Sequence, residues 1–191
     1  MAIKWKVDPA HSEIQFKVKH LMITTVTGYF KSFDLEVETE TDDFNTAKRI
    51  EFTADIDSID TNNAQRDAHL KSNDFFNGEQ YPLLKFIGKK YEINGDEGTL
   101  HGDLTIREVT KPISLKVEFG GTVVDPWGQQ KAGFTVSGKI NRKDFNLTWD
   151  AVTEAGQVVV SNEIKINAEV QLIKQAATVE ADEKTTAVAG S

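Results

Sequence analysis

A chain of 191 residues with 22 Lys plus Arg against 30 Asp plus Glu carries a formal charge of −8, which argues against a binder of nucleic-acid backbones, since that needs a basic footprint. Cysteine is absent, so disulfides, thiol nucleophiles and Cys-based zinc or iron–sulfur centres are excluded. No apolar run approaches the ~18 residues of a membrane helix, and the charged start Met1–Asp8 is no signal-peptide core; the chain reads as cytoplasmic, without stable membrane insertion, or as periplasmic if it begins at a mature N-terminus.

Period-two alternation then dominates. Ile3, Trp5 and Val7 alternate with charged residues, as do Ile14, Phe16 and Val18, then Phe33, Leu35 and Val37. Ile50, Phe52, Ala54 and Ile56 follow the same rule. Leu84 and Phe86 open a strand that resumes at Tyr91 and Ile93. Leu100, Gly102, Leu104 and Ile106 face one way, with His101, Asp103 and Thr105 opposite. Ile113 to Phe119, Phe134 to Ile140, and Val158 to Leu172 complete about nine runs. Turn signals such as Asn94-Gly95-Asp96 and Asp125-Pro126-Trp127-Gly128 separate them. One apolar and one solvated face per strand is the mark of an antiparallel meander. A sheet of that size closes or splits, and the long last strand suits a tall barrel. Gly102, Gly133 and Gly138 inside strand patterns mark bends, bulges or close backbone approach.

Two stretches interrupt the alternation. Asn62 or Asn63 caps a short helix over 63–71, and Asn77-Gly78 ends a following turn. Leu21 to Gly28 reads as a lid or a loop at a barrel mouth. From 175 to 191 aromatics vanish, and the text is that of a disordered acidic tail. The domain is therefore 1–174.

Chemistry is sparse. There is no phosphate loop, no Gly-x-Ser-x-Gly elbow and no His-Glu-x-x-His helix. No two of His11, His20, His69 and His101 stand at i, i+4, so neither a metal nor a cofactor is expected. Asp8, His11 and Ser12 lie too close in sequence for a hydrolytic triad and read as a turn. Phe16, Phe52, Phe86, Phe119 and Phe134 share the apolar parity of different strands. They make either a filled core or a long apolar pocket, and periodicity does not choose between them. An enzyme built on His20, or on His101 with Asp103, and a stress-related module with a filled barrel are the rival readings.

The residues also carry a resemblance. Trp5-Lys-Val-Asp-Pro-Ala-His11-Ser12, Gly28-Tyr-Phe30, and Arg66-Asp67-Ala-His69-Leu70 followed by Asp74-Phe75-Phe76 are similar to segments of the YceI family of lipocalin-like, polyisoprenoid-binding proteins. Val109-Thr-Lys-Pro112 and Arg142-Lys-Asp144-Phe145 with Trp149 extend the likeness from about residue 3 to about residue 174. Asn146 and Glu108 stand where the family often has glycine. The resemblance implies an all-β, elongated antiparallel barrel of about eight to nine strands with a short helical insert. It implies a long-chain isoprenoid or related amphiphilic lipid as partner, held without covalent chemistry. Phe16, Val18, Leu35, Phe52, Phe86, Leu104, Phe119, Phe134 and Ile164 are then expected around the ligand, with His20, Arg66 and His69 at the mouth. Oligomeric state stays open, a homodimer included.

Overall fold

The computed structural model describes residues 2–151 and 159–176. Its strand segments are β1 (Ile3–Val7), β2 (Glu13–His20), β3 (Thr24–Phe30), β4 (Phe33–Thr39), β5 (Ala47–Asp55), β6 (Ile59–Asp60), β7 (Leu83–Asn94), β8 (Glu97–Ile106), β9 (Val109–Val124), β10 (Gln130–Asn141) and β11 (Val160–Lys174). One helix, α1 (Ala64–Lys71), stands between β6 and β7.

The pairing reduces these segments to eight strands. β2 pairs with β11 along Val160–Glu169, and β1 continues the same edge at Leu172–Lys174. β1 and β2 are thus one strand, broken by a turn at Pro9–His11. In the same way β3 pairs β2 while β4 pairs β1, and β6 pairs β3 while β5 pairs β4. From β5 a plain meander runs through β7, β8, β9 and β10 to β11. The β1–β11 pairing closes the barrel.

The breaks lie side by side and are stitched together. Ser32 Oγ donates to Asp55 Oδ2 at 2.6 Å, Asp55 N to Ser32 O at 2.9 Å, and Lys31 N to Ser58 O at 3.2 Å. Asp8 N donates to Gln171 O, and Gln171 N to Ser12 Oγ at 2.9 Å. Backbone groups freed from the ladder are thereby satisfied, and the long strands can coil. Of the stretch expected as a lid or a loop over Leu21 to Gly28, only Leu21-Met22-Ile23 is a turn, the tight tip of the β2–β3 hairpin with Leu21 and Met22 at positive φ, and Thr24 to Gly28 belong to β3.

Each end of the barrel has its own packing. At one, Trp5 packs on Phe44 (4.7 Å between ring centroids), Phe44 on Phe134 (4.9 Å), and Phe134 on Phe119 (5.2 Å). Trp5 Nε1 donates to Thr39 Oγ1 at 3.1 Å inside this plug. The other end carries α1, Phe75, Phe76 and the segment Arg142–Trp149. Asn63 caps α1 by accepting from Arg66 N at 3.0 Å. Arg142 is 1% exposed and donates to the carbonyls of Leu147, Trp149, Val160 and Ser161. One guanidinium fork ties three segments together at that end. Asn146 accepts φ 60° there, and its Nδ2 donates to Glu108 Oε1 at 3.3 Å, so the two residues that stand in place of glycine meet each other.

Gln175 N still donates to Lys4 O. The tail expected over 175–191 lies, from residue 177 onward, outside the described residues. So does Val158, the expected start of the last strand. Among the described residues, no helix is long and apolar enough to cross a membrane.

Candidate functional site

The inward faces of the strands do not meet. Between them runs a cavity of about 230 Å³, walled from Phe44, Ala47 and Tyr91 near the Trp5 end to Phe75, Phe76, Arg142 and Leu147 at the other. On β11 alone the wall extends from Val160 to Leu172, about 40 Å of strand at roughly 3.3 Å per residue. So small a volume spread over such a length is a narrow channel and not a wide chamber. It is nonetheless larger than the ~150 Å³ apolar cavities that stay dry and take up benzene.

Glycine opposite a large side chain keeps the channel open. The ring of Phe16 lies over Gly28, and that of Phe86 over Gly102; a Cβ at either glycine would collide with the ring. Leu115 uses Gly138 in the same way. The large side chains thus lie along the wall instead of crossing the lumen. Close approach therefore explains Gly102 and Gly138, whereas Gly133 marks a bulge in the β9–β10 ladder.

Of the residues singled out in the sequence, Phe16, Val18, Leu35, Phe52, Phe86, Leu104, Phe134 and Ile164 stand on the channel wall. Phe119 does not; it lies behind Phe134 in the end plug. Arg66 is also off the wall. Its Nε donates to Thr61 Oγ1 at 2.8 Å and its terminal nitrogen to Thr61 O, so the guanidinium holds the α1 approach together. His69 stacks edge-on against Trp149 (4.8 Å) and shares a 2.9 Å hydrogen bond with Asp74. His20 is exposed at the end of β2. A helix with no buried residue sets Arg66 and His69 outside the lumen, and His20 is exposed on β2, so the mouth expected from the three does not assemble on the wall.

Sequence reasoning missed Phe44, Tyr91 and Arg142. Phe44 sits in a loop turn with no parity to reveal it. Arg142 looks like any surface arginine until its carbonyl partners are seen; burial lowers its pKa, against the opposing pull of Asp150. Among the described residues, no His, Asp, Glu or Lys stands on the wall. His101 faces outward and bonds Ser114 Oγ at 2.8 Å. Among the described residues the polar side chains on the wall are those of Gln15, Tyr91 and Arg142, and the rest of the wall is apolar and can desolvate a ligand.

The YceI-like domain matches residues 5–172. The chain belongs to the YceI-like family. A UPF0312 protein of Staphylococcus epidermidis is 42% identical over 168 residues, covering 86% of this chain and 94% of that one. A UPF0312 protein of Photorhabdus laumondii is 42% identical over 153 residues, covering 78% and 79%. The crystal structure of the Campylobacter jejuni YceI protein is 36% identical, with TM-score 0.71 over 83% of this chain and 90% of that one. A polyisoprenoid-binding domain from Saccharophagus degradans, implicated in plant cell wall breakdown, shares the fold at 14% identity, with TM-score 0.64 over 90% and 98%. The YceI-like barrel is thus the frame on which this channel is built.

Proposed function

We propose that this protein binds, and hands on, one linear apolar lipid chain, an isoprenoid by its chemistry, inside the barrel and without catalysis. The narrow, continuous apolar channel carries the reading. Its width suits a single unbranched or methyl-branched chain and disfavours fused rings. Each buried CH₂ contributes about 0.8 kcal/mol, so a chain running along the wall has ample gross driving force. Ordering the chain and the side chains removes part of it. The fold shared with the polyisoprenoid-binding domain from Saccharophagus degradans supports the choice of ligand class, and a wall on which no His, Asp, Glu or Lys stands among the described residues supports binding over catalysis.

Equilibrium binding to delipidated protein tests the reading. Geranylgeraniol should bind with one site per chain, while cholesterol, of similar apolar area but fused-ring shape, should bind far more weakly. Equal binding of both, or of neither, would contradict a linear-chain channel.

A further inference from the structure

Tyr91 is placed in the channel by an irregularity of its own strand. On β7, Leu84 and Phe86 face inward and Gly88 pairs with Gly102 of β8. Continued alternation would bring Lys90 opposite Leu100, on the inward face. Instead the register shifts between Gly88 and Lys90, so Lys90 pairs with His101 and Tyr91 takes the place opposite Leu100. A bulge re-aims a side chain in this way. Lys90 is left outside, where it bonds Glu92 at 2.6 Å.

The neighbouring strand makes room for the ring. A Cβ at Gly98 would stand 2.8 Å from Glu92 O and 3.0 Å from Tyr91 Cε2, so the glycine admits both the close β7 backbone and the ring. With Gln15 and Arg142, Tyr91 is one of the polar-bearing residues on a wall that is otherwise apolar. Its hydroxyl is buried and has no hydrogen-bond partner among the described residues. Burial raises the phenol's pKa above its ordinary value, so the group is neutral and able to donate one hydrogen bond. Phenylalanine would pack as well without leaving a buried polar group unsatisfied.

We infer that Tyr91 is the specificity-determining residue of the channel, and that its hydroxyl hydrogen-bonds an uncharged oxygen, a hydroxyl or a carbonyl, at one end of the bound chain. This rests on the lipid-binding reading and specifies its head group. The head then lies toward the Trp5 end, where Tyr91 and Phe44 line the wall. An anionic head is disfavoured there. The one cationic wall residue, Arg142, lies at the opposite end with its donors already taken by carbonyls, and a buried anion without a partner is costly.

The test is a competition on delipidated full-length protein, read by native mass spectrometry. The probes are geranylgeraniol, its hydrocarbon analogue without the hydroxyl, and geranylgeranyl diphosphate. The wild type should favour the alcohol over both. Tyr91→Phe should shift the alcohol-to-hydrocarbon ratio about tenfold toward the hydrocarbon, because the alcohol then lacks its partner, while melting no lower than the wild type. An unchanged ratio, a preference of the wild type for the diphosphate, or a clear loss of stability in Tyr91→Phe would each overturn the assignment. If the wild type takes up none of the three, the lipid reading itself fails and Tyr91 falls with it. Uptake of the probes with no effect of Tyr91→Phe removes Tyr91 alone.

Discussion

The far edge of the Phe16 ring occupies the space over Gly28 in which any other residue would carry its Cβ. The two are direct cross-strand partners on β2 and β3. The glycine is what allows a phenylalanine on the inward face without blocking the lumen. Gly28→Ala should therefore act on the channel as well as on stability. The methyl forces the ring inward, and overpacking of this kind costs ~1–3 kcal/mol. Thermal melts and lipid occupancy measured together should show a lowered melting temperature and less bound chain. Unchanged occupancy would mean that Phe16 does not border the ligand.

Phe44 seals the Trp5 end by packing on Trp5, Phe119 and Phe134. Phe44→Ala should cost ~3–5 kcal/mol, the usual range for an aromatic removed from a core. It should also enlarge the channel beside Tyr91, so that the folded variant accepts alcohols with a bulkier end group than the wild type does. A series of isoprenoid alcohols of one chain length and increasing end-group size, in a binding assay, checks this. A variant that loses stability but keeps the same end-group limit would place the head elsewhere.

Arg142 is wholly structural on this account. Arg142→Met leaves the carbonyls of Leu147, Trp149, Val160 and Ser161 without their donor, while Asp150 keeps Lys143 at 3.0 Å. Each buried acceptor left unsatisfied costs ~1–3 kcal/mol. Urea unfolding should show a midpoint lowered accordingly, with an unchanged preference between alcohol and hydrocarbon chains in the folded fraction.

Acid stability should depend on Lys131, which stands 3.4 Å from Asp8 and 3.5 Å from Asp125. Burial alone would raise the Asp8 carboxyl, but donation from His11, Lys131 and Ala10 outweighs it and holds the pKa low. Asp125 is likewise depressed, burial being outweighed by the amides of Gln129 and Trp127 and by Lys131. Groups with depressed folded values contribute stability that is complete above their unfolded pKa and lost as pH falls through the folded one. Lys131→Met raises the folded values toward the unfolded ones, so acid unfolding should begin at higher pH. Coincident acid transitions of variant and wild type, followed by tryptophan fluorescence, would contradict the role given to this contact.

Much of the barrel was legible because parity is a strong signal. Leu100, Leu104 and Ile106 alternate on β8 as they do in the sequence, and the α1 cap at Asn63 stood where a capping residue was expected. Strand number was harder to read. Pro9–His11 and Ile56–Ser58 break strands that pairing later rejoins, and only the register shows that β1 with β2 is one strand. Open and filled interiors share the same alternation. The difference lies in rings placed over glycines, a relation between strands that no single strand displays. Tyr91 was read in phase, where the alternation resumes after Phe86, but parity does not show that its hydroxyl is buried without a partner. Polar residues on a short helix, Arg66 and His69, looked available because their intramolecular partners are not sequence neighbours of a recognisable kind.

Val18 gives a direct contrast between a channel and a core. It lines the channel and is flanked by Val26 and Ile164 on the adjacent strands. In a filled interior, Val18→Trp would overpack and destabilise by ~1–3 kcal/mol. In an open channel the indole takes ligand space, so the empty protein should keep its melting temperature while chain binding weakens or shortens. Destabilisation with binding unaltered would favour the filled barrel.

The most direct test of the account is native mass spectrometry of freshly purified protein, followed by organic extraction and re-addition of geranylgeraniol. The account predicts a folded protein that carries one apolar chain per barrel, releases it into solvent and takes up one chain again. A folded protein that shows only its bare mass, and still shows it after re-addition, would contradict the central claim that the barrel is a lipid channel.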